Sequence, residues 1–107
     1  MNGLPERVKL KIVHVLSQEK SVGKAVLYGS RARGEARDGS DIDIALFGEN
    51  IPLYLNTRLR DAAGLYKLDI VRFDELDQLE LRDNIHRDGI EIYHKQISCM
   101  SLKEQKR

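Results

Sequence analysis

Cysteine, proline and tryptophan are scarce in this 107-residue chain, and each shortage excludes something. The single cysteine, Cys99, cannot close an intrachain disulfide, so a reducing, cytoplasmic setting is expected. The three histidines, His14, His86 and His94, are scattered and show no zinc-ligand spacing with Cys99. No stretch approaches the ~20 apolar residues of a membrane span. The first residues, Met1-Asn2-Gly3-Leu4-Pro5-Glu6-Arg7, lack the basic start and apolar core of a signal peptide. Neither sign of charge dominates: 18 Lys and Arg face 17 Asp and Glu, for a net charge of +1. Such a balance argues against a dedicated electrostatic grip on nucleic acid, which would show a basic face. Internal repeats and low-complexity blocks are also absent.

What is there suits one globular domain. Hydrophobic residues make up 41% and charged ones 33%, an ordinary composition. The length allows one modest core and leaves no room for a second, substrate-holding domain. The domain is expected over 1–94, with 95–107 a polar, frayed tail. Pro5 suits a first helical turn, and Val8, Ile12, Val15 and Leu16 keep helical spacing up to about Lys20. Lys24 to Tyr28 reads as a buried strand. Ser30 to Ala36 reads as a short helix, stopped by an Asp38-Gly39 turn. Asp41 to Phe47 alternates as a strand, and Pro52 to Leu65 is amphipathic, with Leu55, Leu59 and Ala62 on one side. Lys67 to Phe73 is a third strand. Asp74 caps a helix running to about Asp88, which Gly89 stops. Ile90 to Tyr93 is a fourth strand. The expected order is α-β-α-β-α-β-α-β, an α/β (α+β) sheet of four strands covered by helices. Strand order and direction stay open.

Three aspartates stand in or at the mouth of strand-like runs: Asp41, Asp43 and Asp69. Aspartate is a poor strand former, so its presence there needs a reason. Side chains at i and i+2 share a face, so Asp41 and Asp43 project together while Ile42, Ile44 and Leu46 point to the core. If the strand holding Asp69 is a neighbour, three carboxylates converge. Close like charges force one of the group neutral unless a cation intervenes. Mg²⁺ prefers hard oxygen ligands and completes its shell with water and phosphate. Two such ions clamp the attacking and leaving oxygens of a nucleotidyl transfer. The pair Gly29-Ser30 fits this picture: Gly29 lets backbone approach a phosphate, and Ser30 begins the short helix, whose free amides and dipole favour an anion and whose first hydroxyl donates to a phosphate oxygen. Arg33, one turn on, reaches the same phosphates with forked donors. Arg31 and Arg37 read as a solvated helix face.

Rival motifs fail. Gly29-x4-Gly34 begins like a Walker A loop, but Glu35-Ala36 stands where Lys-Ser/Thr is required. An EF-hand starting at Asp41 would need a ligand at Ala45 and glycine at Leu46.

The residues Gly29-Ser30, a ten-residue spacer, Asp41-Ile42-Asp43 and a later acid, Asp69, resemble the nucleotidyltransferase superfamily that includes DNA polymerase beta and kanamycin nucleotidyltransferase. Tyr28-Gly29-Ser30-Arg31-Ala32-Arg33-Gly34 and Gly39-Ser40-Asp41-Ile42-Asp43-Ile44-Ala45-Leu46 look like its minimal nucleotidyltransferase group, and the resemblance extends to the closing Gly89-Ile90-Glu91-Ile92-Tyr93. That group is typically encoded beside a HEPN-domain partner, and some members are antitoxins. The resemblance implies a mixed sheet flanked by helices, ATP with Mg²⁺, and AMP transfer to a hydroxyl with release of pyrophosphate. In antitoxin members the hydroxyl is a tyrosine of the HEPN toxin. Carried over by position, Asp41 and Asp43 bind both metals, Asp69 ligates the catalytic metal and helps deprotonate the acceptor, and Gly29, Ser30 and Arg33 hold the nucleotide's phosphates.

A chain this short leaves the acceptor unpositioned, although orientation supplies much of the rate in such transfers. A partner protein is therefore expected to present the hydroxyl, with no direct nucleic-acid contact and a homodimer left open. Two alternatives stand beside the protein adenylyltransferase: an antitoxin that neutralises its partner by binding alone, and a small-molecule nucleotidyltransferase of the aminoglycoside type.

Overall fold

A computed structural model describes residues 4–37 and 39–95; the expected tail beyond Lys95, Cys99 and Asp38 lie outside the described residues. Helix α1 spans Glu6–Ser17, with Pro5 as its N-cap, and buries Val8, Ile12 and Leu16. Strands β1 (Val22–Tyr28) and β2 (Ile42–Gly48) follow, then α2 (Tyr54–Ala63) and β3 (Leu68–Arg72). A 3-10 turn over Phe73–Glu75 leads to α3 (Leu79–Asp88) and the last strand, β4 (Ile90–His94). The sheet order is β3-β2-β1-β4. Strand β1 is antiparallel to both β2 and β4, while β2 and β3 run parallel, joined through α2. The mixed four-stranded sheet with helices is thus the expected fold. No helix among the described residues is long and apolar enough to cross a membrane.

Alternation in the strands supplies two apolar faces. Val22, Ala25, Leu27, Ile42, Ile44, Leu46 and Leu68 join α1 and α2 residues such as Ile12, Leu16, Leu55 and Leu59 in the larger core. Ile42, Ile44 and Leu46 are fully buried, as their spacing predicts. Each such side chain contributes roughly 1.5–3 kcal/mol of transfer free energy. The opposite face is smaller. Val26, Tyr28 and Ala45 pack there with Phe73 and, from α3, Ile85. Phe47 stacks on Phe73 at 4.3 Å between ring centroids.

Two expected helices differ. No helix covers Ser30–Ala36; residues 31–34 form a turn, with Arg33 N–H donating to Gly29 O and Glu35 N–H to Ser30 O. Antiparallel neighbours need no crossover helix, so the β1–β2 connection is released from that role. Gly34, at φ 76°, is also outside the helical region. The expected Asp38-Gly39 turn falls partly outside the described residues; on either side of Asp38, Ser40 N–H donates to Arg37 O, and Gly39 takes φ 88°. The helix expected from Asp74 begins only at Leu79, with Gln78 as N-cap. Asp74 sits instead in the 3-10 turn, which carries the chain round while burying Phe73.

Gly89 does follow α3, but its φ of −66° is open to any residue. Its requirement is space: a Cβ there would collide with the Ile85 carbonyl oxygen and Val26 Cγ1. Gly89→Ala is therefore expected to destabilise the protein by about 1–3 kcal/mol, the usual cost of overpacking. A denaturant midpoint unchanged from the parent chain would refute this.

Candidate active site

Two of the aspartates, Asp43 and Asp69, are neighbours across the sheet. In the parallel β2–β3 ladder the register partners run Ile42 with Leu68, Asp43 with Asp69 and Ile44 with Ile70. Paired residues on neighbouring strands project to the same side, so the carboxylates of Asp43 and Asp69 face each other across one inter-strand gap. Asp41 lies two residues before Asp43, just outside the ladder. On the other flank of β2, Asp43 pairs with Tyr28. Helix α3 meets this face through Ile85, at Val26, Ala45 and Phe73, away from the aspartates. Asp69 is accordingly exposed, and Asp41 and Asp43 are half-buried.

Burial and crowding of like charge both shift the site's acidities. Burial raises the Asp43 carboxyl above its ordinary 3.8, and the charges of Asp69 and then Asp41 raise it further. Arg31 and Arg33 offset part of that rise. Tyr28 is pushed up to about 12 by burial and then by the charges of Asp43 and Asp69. A tyrosine in register with Asp43 stands on the next strand, a neighbour that the sequence reading left out. Its alternation with Val26, opposite Ala25 and Leu27, was the available signal. Without the strand order, that signal could not place it beside Asp43.

The Gly29-Ser30 turn closes the site at the end of β1. Gly29 takes φ 78°, which favours glycine, and a Cβ there would strike the Asp43 carboxylate. Its missing side chain thus makes room for Asp43. Ser30 is half-buried beside it. The amides of Arg33, Gly34 and Glu35 are already used inside the turn, so no helix dipole serves an anion here. Arg33 is exposed and paired with Glu35 at 3.0 Å. An exposed pair of this kind is weak, so it could exchange for a phosphate.

Arg31 departs most from expectation. It is 7% exposed, the one buried charged side chain among the described residues, and not part of a solvated face. Its Nε and Nη2 donate to the Ser40 carbonyl at 3.3 and 2.9 Å. Its guanidinium lies 5.3 Å from the Tyr66 ring centroid. No helix exists to turn it outward, and the hairpin-like return of the chain brings an acceptor to it.

Among the described residues no three acidic, histidine or cysteine side chains already close into a metal-binding cluster. The donor chemistry nonetheless fits Mg²⁺. Asp43 and Asp69 are hard oxygen donors in register, Asp43 is raised by burial and then by the charge of Asp69, and a divalent cation between them would offset both.

Comparison with known proteins agrees with this architecture. The family described as Polymerase beta, Nucleotidyltransferase matches residues 10–98. A solved structure described as a minimal nucleotidyltransferase is 31% identical, with TM-score 0.62, covering 84% of this chain and 95% of that one. Two toxin–antitoxin crystal structures share the fold at lower identity. One, with AMP-PNP, is 22% identical at TM-score 0.68, covering 82% of this chain and 74% of that one. The other, a mutant of MntA-HpeT, is 19% identical at TM-score 0.64, with the same two coverages. No curated protein matches. The family match takes in the Gly29-Ser30 turn and all three aspartates, and the chain belongs to the polymerase-beta nucleotidyltransferase family, as a member of the minimal type.

Proposed function

We propose that this chain is a Mg²⁺-dependent nucleotidyltransferase that moves AMP from ATP to a hydroxyl, a tyrosine of a HEPN-domain toxin, and so acts as an antitoxin in the cytoplasm. The observation that carries the reading is the register pairing of Asp43 with Asp69 beside the Gly29-Ser30 turn, at an open end of the sheet. The likeness to toxin–antitoxin structures, one of them with AMP-PNP, supports the partner and the nucleotide.

In this reading Asp41 and Asp43 would hold two metal ions, and Asp69 would share one of them. Bound there, the ions would neutralise phosphate charge and lower the pKa of the attacking hydroxyl. Gly29, Ser30 and Arg33 hold the phosphates, with Arg33 released from Glu35. The acceptor oxygen attacks the α-phosphorus, a new P–O bond forms, and the bond to the β,γ-phosphates breaks, so pyrophosphate leaves. Asp69, exposed at the rim, takes the hydroxyl proton. Tyr28, neutral well above physiological pH, keeps a proton to donate and adds no negative charge beside Asp43. The domain is 1–94, and the partner orients its own tyrosine toward the nucleotide.

The test is transfer of α-labelled AMP to the co-purified HEPN-domain protein, with the modified residue located by mass spectrometry. Asp41→Asn/Asp43→Asn is expected to lower labelling about a hundredfold or more, since metal stabilisation of such transfers is worth several kcal/mol. Labelling that survives the double substitution would sink the catalytic site. A double mutant that still rescues growth, with the wild type never labelling its partner, would favour neutralisation by binding alone.

Asp43 gives a second check. An acid with a folded pKa above its unfolded one binds more protons when folded, so its stability cost grows as pH rises through that interval. Without metal, Asp43→Asn should melt higher than the wild type at pH 7, and the gap should close as pH falls below the ordinary carboxylate range. Added Mg²⁺ should raise the melting temperature of the wild type and not of the variant. A variant that melts lower at pH 7 without metal would contradict the charge argument.

A further inference from the structure

Asp41 is the acid with the least backbone support. Strand β2 begins at Ile42, so Asp41 lies outside the β2–β3 ladder that aligns Asp43 with Asp69. Two described hydrogen bonds bracket it. On its C-terminal side Ile42 N–H donates to Lys67 O at 2.8 Å, at the entrance to β3. On its N-terminal side the Ser40 carbonyl belongs to the peptide unit that ends at the Asp41 nitrogen. That carbonyl receives both Nε and Nη2 of Arg31. Fixing this peptide plane fixes the direction in which Asp41 leaves the chain.

Arg31 also reaches the third acid-bearing segment. Its guanidinium rests against Tyr66, which immediately precedes Lys67 and stands three residues before Asp69. One side chain, rooted next to Ser30, therefore touches the segment leading to Asp41 and Asp43 and the segment leading to Asp69. We infer that Arg31 is a positioning residue: it sets the spacing of Asp41 against Asp43 and Asp69, and with it the metal affinity of the carboxylates. This rests on the metal-dependent reading proposed above. It differs from the phosphate role of Arg33, which is exposed and paired at the rim.

The chemistry requires arginine. A planar fork can place two donors on one carbonyl and still lay its face on an aromatic ring. Lysine offers a compact ammonium, which keeps the charge and loses the fork and the stacking. Residues that orient metal ligands typically change metal affinity by about 10- to 100-fold when removed.

The experiment uses the full chain and its Arg31→Met and Arg31→Lys variants. Mn²⁺ binding is read by electron paramagnetic resonance, and exchange of the Ile42 amide by NMR. Thermal unfolding serves as the fold control. Arg31→Met is expected to weaken Mn²⁺ binding about 10- to 100-fold, with Arg31→Lys between it and the wild type. Ile42 should exchange faster in both variants, while the Ile12 amide of α1 keeps its rate. Wild-type Mn²⁺ affinity in a folded Arg31→Met would overturn the inference. If Arg31→Met does not fold, the lysine variant decides on the same two readouts. If the wild type itself binds no Mn²⁺, the metal-dependent function fails, and an Ile42 exchange rate unchanged in Arg31→Lys would separately overturn the positioning role.

Discussion

Two carboxylates held in register on adjacent parallel strands repel each other, and the site is arranged around that repulsion. Asp43 and Asp69 are partners in the β2–β3 ladder, so neither can move to the other face without breaking the strand pairing that buries Ile42, Ile44 and Leu68. The core thus imposes an electrostatic cost on one end of the sheet. Burial and then the charges of Asp69 and Asp41 raise the carboxyl of Asp43, and burial and then the charges of Asp43 and Asp69 raise Tyr28 on the next strand. A cation is the physical remedy, and in the proposed reaction the cation arrives with the nucleotide.

The neighbouring parts follow from the same constraint. Gly29 has no side chain because Asp43 occupies that space, and the turn it permits delivers Ser30 to the carboxylates. Arg31 and Arg33 both ease the charge on Asp43, yet their surroundings separate them. The buried one is committed to a backbone carbonyl and an aromatic ring, while the exposed one is held only by Glu35. Burial makes the first a fixed part of the frame and leaves the second available to a ligand. Helix α3 completes the division by covering the end of the sheet that carries no acid.

Much of this was legible along the chain. The i, i+3/i+4 pattern located α1 and α2, and alternation sorted Ile42, Ile44 and Leu46 from Asp41 and Asp43. The spacing of Gly29-Ser30, Asp41-x-Asp43 and Asp69 carried the family. Local patterns failed where a tertiary contact set the outcome. Ser30–Ala36 has no obligation to be helical once β1 and β2 are antiparallel neighbours. Asp74 yields the start of α3 to Gln78 because Phe73 must first turn into the smaller core. Gly89 follows α3, and what excludes a side chain there is partly Val26, a contact from a strand distant in sequence.

The sequence by itself determined the four strands, two of the helices, the buried faces and the residue types of the proposed phosphate-and-metal chemistry, because periodicity and side-chain chemistry are local. Tertiary structure alone decided that Asp43 stands opposite Asp69, that Tyr28 stands in register with Asp43, and that Arg31 spans from the Gly29-Ser30 turn to the approach of both acid-bearing strands. Those facts depend on strand order and register, which arise from how whole faces pack together. No spacing within a single strand encodes them.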